Sequence, residues 1–376
     1  MPLTIGVVKE TTPGETRVAL VPDVLQKLLQ AGAQVIVQAG AGTAARIADS
    51  GYEGATIEAD TTAAFDRADV VLKVQPPTVA EVNAMKPGTV VISYMQPHQQ
   101  PEMIRALCDK KITSFAMELV PRISRAQSMD ALSSQASVAG YKAVLIGANA
   151  LDKFLPMLTT AAGTIRPAHT LVIGAGVAGL QAIATAHRLG AVVESFDVRS
   201  ATKEQVESLG AKFIDTGVSA EGEGGYAREL TEEEIRQQKA VLDDHIAKAD
   251  LVITTAAVPG KPAPRIIDRA AVERMKAGAV IVDLAADSGG NCELTHPGET
   301  VDHHGVSILG PLNLPAELSS HASQMYSRNL FNFLQPAIKD GEFDIDWDDE
   351  VFAGAVLTHD GEIKHQPTRD LLQGNG

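Results

Sequence analysis

The chain has 376 residues, of which 45% are hydrophobic and 21% charged, a composition typical of globular proteins with room for two or three domains. Its formal net charge of −15 argues against a nucleic-acid surface, which needs a basic footprint, and against direct adhesion to anionic lipid. The two cysteines lie far apart and no apolar run is long enough to cross a bilayer, which argues against a disulfide framework, a zinc site and direct membrane insertion.

The N-terminal part alternates strand-like and helix-like segments. Residues 3–8 read directly as a first strand with no basic-then-apolar signal before them, which predicts a cytoplasmic protein. Further strands are predicted at 34–38, 70–74, 89–94 and 112–116, with an amphipathic helix at 22–30. Continuous apolar strands that alternate with helices are typical of a parallel sheet covered on both faces.

Residues 121–135 break this pattern because they are polar and neither strand-like nor amphipathic. Residues 136–151 then predict a long helix rich in small residues, suited to close packing between two domains. We place the domain crossover at the start of that helix. The expected domains are residues 1–135 completed by 320–376, and residues 136–319.

The second domain is organised around residues 170–181, an apolar strand followed by a glycine-rich turn and a helix. Gly174 permits the tight turn, Gly176 lets the backbone approach a pyrophosphate, and Gly179 lets the helix pack close to the sheet. The helix N-terminus offers N–H groups and a positive dipole end to phosphates. After a second strand at 191–196, Asp197 stands 18 positions beyond Gly179, where the ribose-binding acid of a dinucleotide site is expected.

Strands at 251–254, 279–282 and 306–309 complete the strand count of a Rossmann domain. A helix at 319–334 should return to the first domain, and residues 352–357 and 359–363 should form a short closing ribbon. The predicted fold class is α/β, with two doubly wound parallel-sheet Rossmann-like domains, the second inserted in the first. The histidines show no metal-binding spacing, and the pair His303-His304 is interpreted as a solvated loop.

Six segments, 9–20, 121–135, 174–181, 224–227, 254–264 and 282–292, together resemble the NAD(H)-binding subunit of proton-translocating NAD(P) transhydrogenases, and the similarity spans nearly the whole chain. The resemblance implies that the chain binds NAD(H) and passes hydride directly between NADH and NADP(H) held by a partner subunit. It further implies a homodimer that is cytoplasmic and peripherally associated with the inner membrane. Membrane-spanning transhydrogenase subunits, including one with an NADP-binding domain, would couple the reaction to proton translocation.

The resemblance also assigns site residues. Those expected to contact the nicotinamide and its ribose, and so to carry catalysis, are Arg122, Gln127, Asp130 and Ser133. Those expected at the pyrophosphate and adenosine are Gly174, Ala175, Gly176, Val177, Ala178, Gly179, Asp197, Val198 and Arg199. Further nucleotide contacts are Gln238, Ala257, and Gly225 and Tyr226 on a glycine-rich loop similar to the family's mobile loop. The carboxylate of Asp197 favours NAD over NADP because it accepts from ribose hydroxyls and repels a 2′-phosphate.

Alanine dehydrogenases share this architecture and leave an alternative open. Their substrate site uses an Arg, a Lys and a His, and here Arg17 and Lys73 match while Gln96 stands at the position of the His. Glutamine cannot move the proton that amino-acid oxidation requires, whereas hydride exchange between two nicotinamide rings moves no such proton. His98 and Asp287, an Asp that alanine dehydrogenases also carry, keep an alanine-dehydrogenase-like activity open. A catalytically silent NAD-sensing module is the other alternative.

Overall fold

The computed structural model describes residues 2–218, 230–257, 262–339 and 341–374. The chain divides into two compact units, residues 1–135 with 315–376, and residues 136–314. Each unit is built on its own largely parallel sheet with helices around it, so the fold is α/β with two Rossmann-like domains, the second inserted in the first.

The strands in the sheet of the first unit are β1 Thr4–Val7, β2 Gln34–Gln38, β3 Thr56–Glu58, β4 Val70–Leu72, β5 Val90–Ser93, β6 Thr113–Ala116, β18 Val356–His359 and β19 Glu362–Ile363. Their spatial order is β19, β18, β6, β5, β4, β1, β2 and β3. Strands β1 to β6 are parallel, and β18 and β19 extend the sheet antiparallel. The central strands β4, β5 and β6 are buried along their whole length, as expected for a sheet covered on both faces.

The helices of the first unit are α1 Pro22–Gln30, α2 Thr61–Arg67, α3 Val79–Ala84, α4 Pro101–Asp109, α10 Ser319–Leu334, α11 Glu350–Ala355 and α12 Gln366–Gln373. Helix α1 shows why the sequence predicted it. Pro22 stands in the first turn, where its missing N–H costs nothing, and Val24, Leu25 and Leu28 form one buried face. A short hairpin of β16 Ile338–Lys339 and β17 Glu342–Phe343 follows α10.

The predicted closing ribbon is wrong in its first half. Residues 350–355 form helix α11, and only Val356–His359 and Glu362–Ile363 pair as strands. The side chain of Asp349 accepts a hydrogen bond from the N–H of Val351 and so caps a helix. Phe352 and Ala355, three positions apart, are buried on the inner face of that helix, a helical spacing that alternation along a strand does not allow.

The strands in the sheet of the second unit are β9 His169–Ile173, β10 Val192–Phe196, β11 Lys212–Phe213, β12 Leu251–Thr254, β13 Val280–Asp283, β14 Thr300–His303 and β15 Val306–Leu309. Their spatial order is β11, β10, β9, β12, β13, β15, β14. All neighbours pair in parallel except β14, which lies antiparallel on β15. With β9 as the first strand, this is the 3-2-1-4-5-6 order of a dinucleotide-binding domain, and the order reverses at β9.

Helix α5, Ala131–Ala150, crosses the boundary between the units. The other helices of the second unit are α6 Val177–Arg188, α7 Lys203–Ser208, α8 Glu232–Lys248 and α9 Arg269–Glu273. The predicted start of α5 at residue 136 is five residues too late. Asp130 caps the helix, since its carboxylate accepts from both the N–H and the hydroxyl of Ser133, and the polar residues 131–135 become its first turn.

Small residues let α5 pack closely inside the second unit. A Cβ on Gly140 would lie 2.0 Å from the carbonyl oxygen of Ala178 in α6, and one on Gly147 would lie 2.6 Å from Leu251 in β12. An antiparallel hairpin of β7 Leu158–Thr160 and β8 Gly163–Ile165 follows α5 and is exposed along both strands. Over the ranges that the structure describes, every helix is too short or too polar to cross a lipid bilayer.

Candidate functional site

The turn after β9 carries a backbone conformation that only glycine adopts without strain. Gly174 has φ +97°, and a Cβ at this position would lie 2.6 Å from the hydroxyl of Thr255. Gly179, one turn into α6, faces the same loop, and its Cβ would lie 1.8 Å from the carbonyl oxygen of Gly174. Both glycines are therefore required by the packing of strand, turn and helix.

Gly176 differs from these two, since neither backbone strain nor packing requires a glycine there. Its φ is −76°, which any residue adopts, and a Cβ would meet no atom within 4 Å. It is the N-cap of α6, and no side chain caps that helix. The positive end of a twelve-residue helix is thus open at the reversal point of strand order, and a glycine keeps the approach clear for an anion.

Asp197 follows β10 on the strand adjacent to the turn. It is only 7% exposed, and its Oδ2 accepts from the N–H of Ala175 at 2.7 Å. Arg199 binds it bidentately, with Nε at 2.8 Å from Oδ1 and Nη2 at 2.8 Å from Oδ2. Burial raises the pKa of Asp197, but hydrogen bonds from Arg199 and from backbone N–H groups outweigh burial and lower the pKa below its usual value. The carboxylate is charged, and it neutralises the guanidinium that could otherwise attract a 2′-phosphate.

The remaining residues predicted for the nucleotide lie in different places. Val177 and Ala178 form the first turn of α6, and Val198 separates Asp197 from Arg199. Ala257 is exposed in the loop after β12, and Gln238 is half-buried on α8. Gly225 and Tyr226 lie outside the described residues.

The first unit holds the four residues predicted to contact the nicotinamide. Residues 121–133 surround an open pocket of about 340 Å³. Its lining residues are Pro121, Arg122, Ile123, Ser124, Ala126, Gln127, Asp130 and Ser133. Arg122 and Gln127 are exposed, while Asp130 and Ser133 are half-buried at the start of α5. One pocket therefore gathers a cation, an amide, a carboxylate and a hydroxyl, which together offer donors and acceptors to a carboxamide-bearing ring.

Comparison with known proteins gives a consistent answer. The N-terminal domain of the alanine dehydrogenase/PNT family matches residues 6–139, and the C-terminal domain of the same family matches residues 143–366. The chain belongs to the alanine dehydrogenase/PNT family. Membership in it implies that the chain binds a nicotinamide dinucleotide.

Both branches of the alanine dehydrogenase/PNT family are similar to this chain. The first polypeptide of the divided NAD(P) transhydrogenase subunit alpha of Rhodospirillum rubrum is 49% identical over 374 residues, covering 96% of this chain and 97% of that one. The crystal structure of transhydrogenase from Sinorhizobium meliloti has a TM-score of 0.85 at 44% identity, covering 97% and 99% of the two chains. An L-alanine dehydrogenase structure has a TM-score of 0.83 at 26% identity and covers both chains completely. The fold is thus common to both branches, and the higher identity makes the chain a homologue of NAD(P) transhydrogenase subunit alpha.

The positions that match the alanine dehydrogenase substrate site are occupied by internal ion pairs. Arg17, 4% exposed, donates from Nε and Nη2 to the two carboxylate oxygens of Glu15 at 2.8 and 2.7 Å. The buried Nζ of Lys73 lies 3.4 Å from Glu10 Oε2 and 3.1 Å from Glu81 Oε1. Burial raises the pKa of Glu15, yet the hydrogen bonds and charge of Arg17 outweigh it and hold the pKa at about 2. Both cations are therefore already neutralised within the first unit.

Gln96 is exposed at the end of the same sheet, with φ +46°. Its N–H donates to Glu118 Oε1 at 2.6 Å, as does the N–H of Met95 at 2.8 Å. Burial raises the pKa of Glu118. His98 and Asp287 are exposed, His98 in the first unit and Asp287 in the second. The side chain at the position of the alanine dehydrogenase histidine thus has no titratable group.

Sequence reasoning missed the buried polar residues that hold the loops. Asp283, fully buried at the end of β13, accepts from Thr254, Ala285, Cys292 and Thr295 at 2.7–3.0 Å. The side chain of Asn291 donates to the carbonyls of Ala256 and Pro264 and accepts from the N–H of Ala256, and so fixes the loop that carries Ala257. The signal in the sequence was a polar residue directly after an apolar strand, where the carboxyl edge of a parallel sheet needs hydrogen-bond partners.

The interpretation of His303-His304 as a solvated loop is incomplete. His303 ends β14, and its Nε2 lies 3.0 Å from Oε1 of Glu273 in α9, while His304 occupies the turn with φ +54°. Side-chain ligand atoms of these three residues lie within 4.8 Å of one another. The cluster lies at the surface of the second unit, where the hydrogen bond from His303 lowers the pKa of Glu273.

Proposed function

We propose that the chain is the NAD(H)-binding component of a proton-translocating NAD(P) transhydrogenase. Hydride passes directly from NADH on this chain to NADP⁺ on a different subunit, and membrane subunits couple the exchange to proton translocation. NADH is a substrate here rather than a resident cofactor. Peripheral attachment to the inner membrane, on its cytoplasmic side, follows from the contact with those subunits.

The observation that carries this proposal is Gln96. Reduction of a 2-oxo acid with ammonium needs a group that moves a proton near the hydride path, and a glutamine side chain does not titrate in water. Exchange between two nicotinamides needs only that the rings be held face to face. The pairing of Arg17 with Glu15 supports the same conclusion, since a guanidinium bound bidentately by an internal carboxylate does not attract a substrate carboxylate as a free one does.

The residues of the two units would divide the work. In the second unit, the N-terminus of α6 at Gly176 would hold the pyrophosphate and Asp197 the ribose hydroxyls, which favours NAD over NADP. In the first unit, the pocket of Arg122, Gln127, Asp130 and Ser133 would orient the nicotinamide by binding its carboxamide and ribose. Gln238, Ala257, Gly225 and Tyr226 remain proposed as further nucleotide contacts.

A reconstitution experiment tests the function. The purified chain is mixed with NADH and a thionicotinamide analogue of NADP⁺, with and without the NADP-binding subunit of a transhydrogenase, and reduction of the analogue is followed by absorbance. We expect exchange only in the mixture that contains both proteins, because the second nucleotide has its site on the partner.

Two controls separate the alternatives. Steady oxidation of NADH by the chain alone with pyruvate and ammonium would replace the proposal by an alanine-dehydrogenase-like activity. If the chain binds NADH but exchanges no hydride after the NADP-binding subunit is added, it is an NAD-sensing module.

We also propose that the chain forms a homodimer. The exposed apolar side chains beside the β7–β8 hairpin support this, since Phe154 is 53% and Met157 63% exposed, and an isolated two-stranded hairpin is marginally stable in water. Sedimentation velocity should give twice the monomer mass. Met157→Glu should shift the population towards monomer, whereas Lys212→Glu on the same unit should not. A monomeric wild-type chain at micromolar concentration contradicts the proposal.

A further inference from the structure

The side chain of Asn329, on α10, bridges the two segments that flank Asp130. Its Nδ2 donates to the carbonyl oxygen of Ser128 at 2.9 Å, and its Oδ1 accepts from the hydroxyl of Ser134 at 2.6 Å. Ser128 follows Gln127 directly, and Ser134 follows Ser133 in the first turn of α5. The amide group thus ties together the two ends of the segment that carries the pocket's amide, carboxylate and hydroxyl.

The chemistry of this bridge requires an amide. The carbonyl of Ser128 can only accept, so it fixes which end of the Asn329 side chain is the donor, and the opposite end must then accept from Ser134. An aspartate has no donor for the carbonyl, and an aliphatic side chain has neither group. Asn329 is 6% exposed, and buried hydrogen bonds of this kind are costly to leave unmade.

Asn332, one turn further along α10, offers a natural comparison. Its Nδ2 also donates to the carbonyl oxygen of Ser128, at 3.0 Å, but Asn332 is exposed and this hydrogen bond holds one side of the loop rather than bridging two. Water can replace a single exposed hydrogen bond of this type, whereas water has no access to the buried bridge of Asn329.

The first turn of α5 is held from behind as well. Gln135, the residue after Ser134, is buried; its Oε1 accepts from Arg17 Nη1 at 2.9 Å, and its Nε2 donates to the carbonyl oxygen of Ala322 in α10 at 3.1 Å. The start of α5 is therefore immobilised against α10, and Asn329 is the link that transfers this rigidity to the loop before Asp130.

We propose that Asn329 is a positioning residue that sets the spacing of Gln127 relative to Asp130 and Ser133 for the nicotinamide. This inference rests on the proposed function. Asn329 touches no nucleotide itself. Its loss should therefore alter the rate of hydride exchange and leave binding of the adenosine half, which the second unit holds, unchanged.

The test compares Asn329→Ala with Asn332→Ala in the full chain, reconstituted with an NADP-binding transhydrogenase subunit. Three quantities are measured: kcat and KM for hydride exchange, the affinity for ADP-ribose, which lacks the nicotinamide, and the emission spectrum of bound NADH. We expect Asn329→Ala to lower kcat at least about tenfold, because small misplacements of reacting rings are costly. Its ADP-ribose affinity should stay within about twofold of wild type, and Asn332→Ala should keep both rate and affinity within about twofold.

If Asn329→Ala and Asn332→Ala exchange hydride equally fast, the inference is overturned. It is also overturned if Asn329→Ala weakens ADP-ribose binding as much as it slows exchange, since that result indicates a general folding role. Should Asn329→Ala fail to fold, Asn329→Ser, which keeps a short polar group, takes its place. If the wild-type chain exchanges no hydride, the proposed function fails, and the emission of NADH bound to the two variants still decides whether Asn329 positions the nicotinamide.

Discussion

Gly176→Thr should weaken NADH binding at least about 100-fold, which corresponds to about 2.8 kcal/mol, while its melting temperature stays within about 4 °C of wild type. The N-cap position tolerates threonine about as well as glycine, and the φ of −76° suits an L-residue. A Cβ at this position meets no protein atom within 4 Å, so the added branched side chain projects into the space where the pyrophosphate would approach the helix N-terminus. Isothermal titration with NADH and differential scanning calorimetry measure the two effects.

Gly179→Ala is the matched comparison for Gly176→Thr. Its single added carbon would lie 1.8 Å from the carbonyl oxygen of Gly174, a clash of backbone with Cβ that only movement of the strand, turn or helix relieves. The smaller substitution should therefore cause the larger loss of melting temperature. Wild-type NADH affinity in a folded Gly176→Thr chain would remove this helix end from the site.

Arg17→Met should lower the free energy of unfolding by about 3–5 kcal/mol at pH 8, as expected when one partner of a buried ion pair is removed. The guanidinium makes two hydrogen bonds to Glu15 and one to Gln135, and the side chains of Arg17 and Glu15 are 4% and 0% exposed. Without it, Glu15 remains as a buried carboxylate close to Glu10, whose pKa burial already raises. Urea unfolding followed by circular dichroism gives the free energy.

The pH dependence of the Arg17→Met effect has a definite sign. In the wild-type chain the pKa of Glu15 is about 2, below its ordinary 4.5, so the pair stabilises the fold above pH 4.5 and loses this contribution as the pH falls towards 2. In the variant, burial becomes the largest influence and raises the pKa of Glu15 above 4.5, so the folded state is penalised as the pH rises. The deficit should therefore be smaller at pH 5 than at pH 8. The double variant Glu15→Gln/Arg17→Met, which buries no charge, should recover most of the loss, and a deficit independent of pH would contradict this account.

Regular elements of the chain were predictable because their signals are local. Helix α1, helix α10 and strands β2, β12 and β15 have the bounds expected from apolar periodicity and flanking turns. Helix α5 and the segment before β18 were misjudged for a related reason. In both cases an aspartate, Asp130 or Asp349, caps a helix whose first turn is polar, and composition alone makes such a turn resemble a loop.

The site divides along the same line. Gly174, Gly176, Gly179 and Asp197 follow from sequence because strand, turn and helix are consecutive and the spacing of the glycines reports the geometry of one turn. The structure added the distinction among the glycines, since packing demands two of them and only Gly176 leaves open space. Arg199 was ambiguous in the sequence, and its bidentate pairing with Asp197 resolved where its charge is spent.

The sequence by itself determined the α/β class, the glycine turn with its acidic residue, and the substitution of Gln96 at a position where related dehydrogenases use a histidine. These features depend on residues close together in the chain, where spacing alone specifies geometry. Only the tertiary structure decided that Arg17 is neutralised by Glu15 and bound to Gln135, 118 positions away, and that Asn329 holds the carbonyl of Ser128 across 201 positions. Such polar contacts leave no periodic trace, because their partners meet only when the burial of the apolar sheet and helices brings distant segments together.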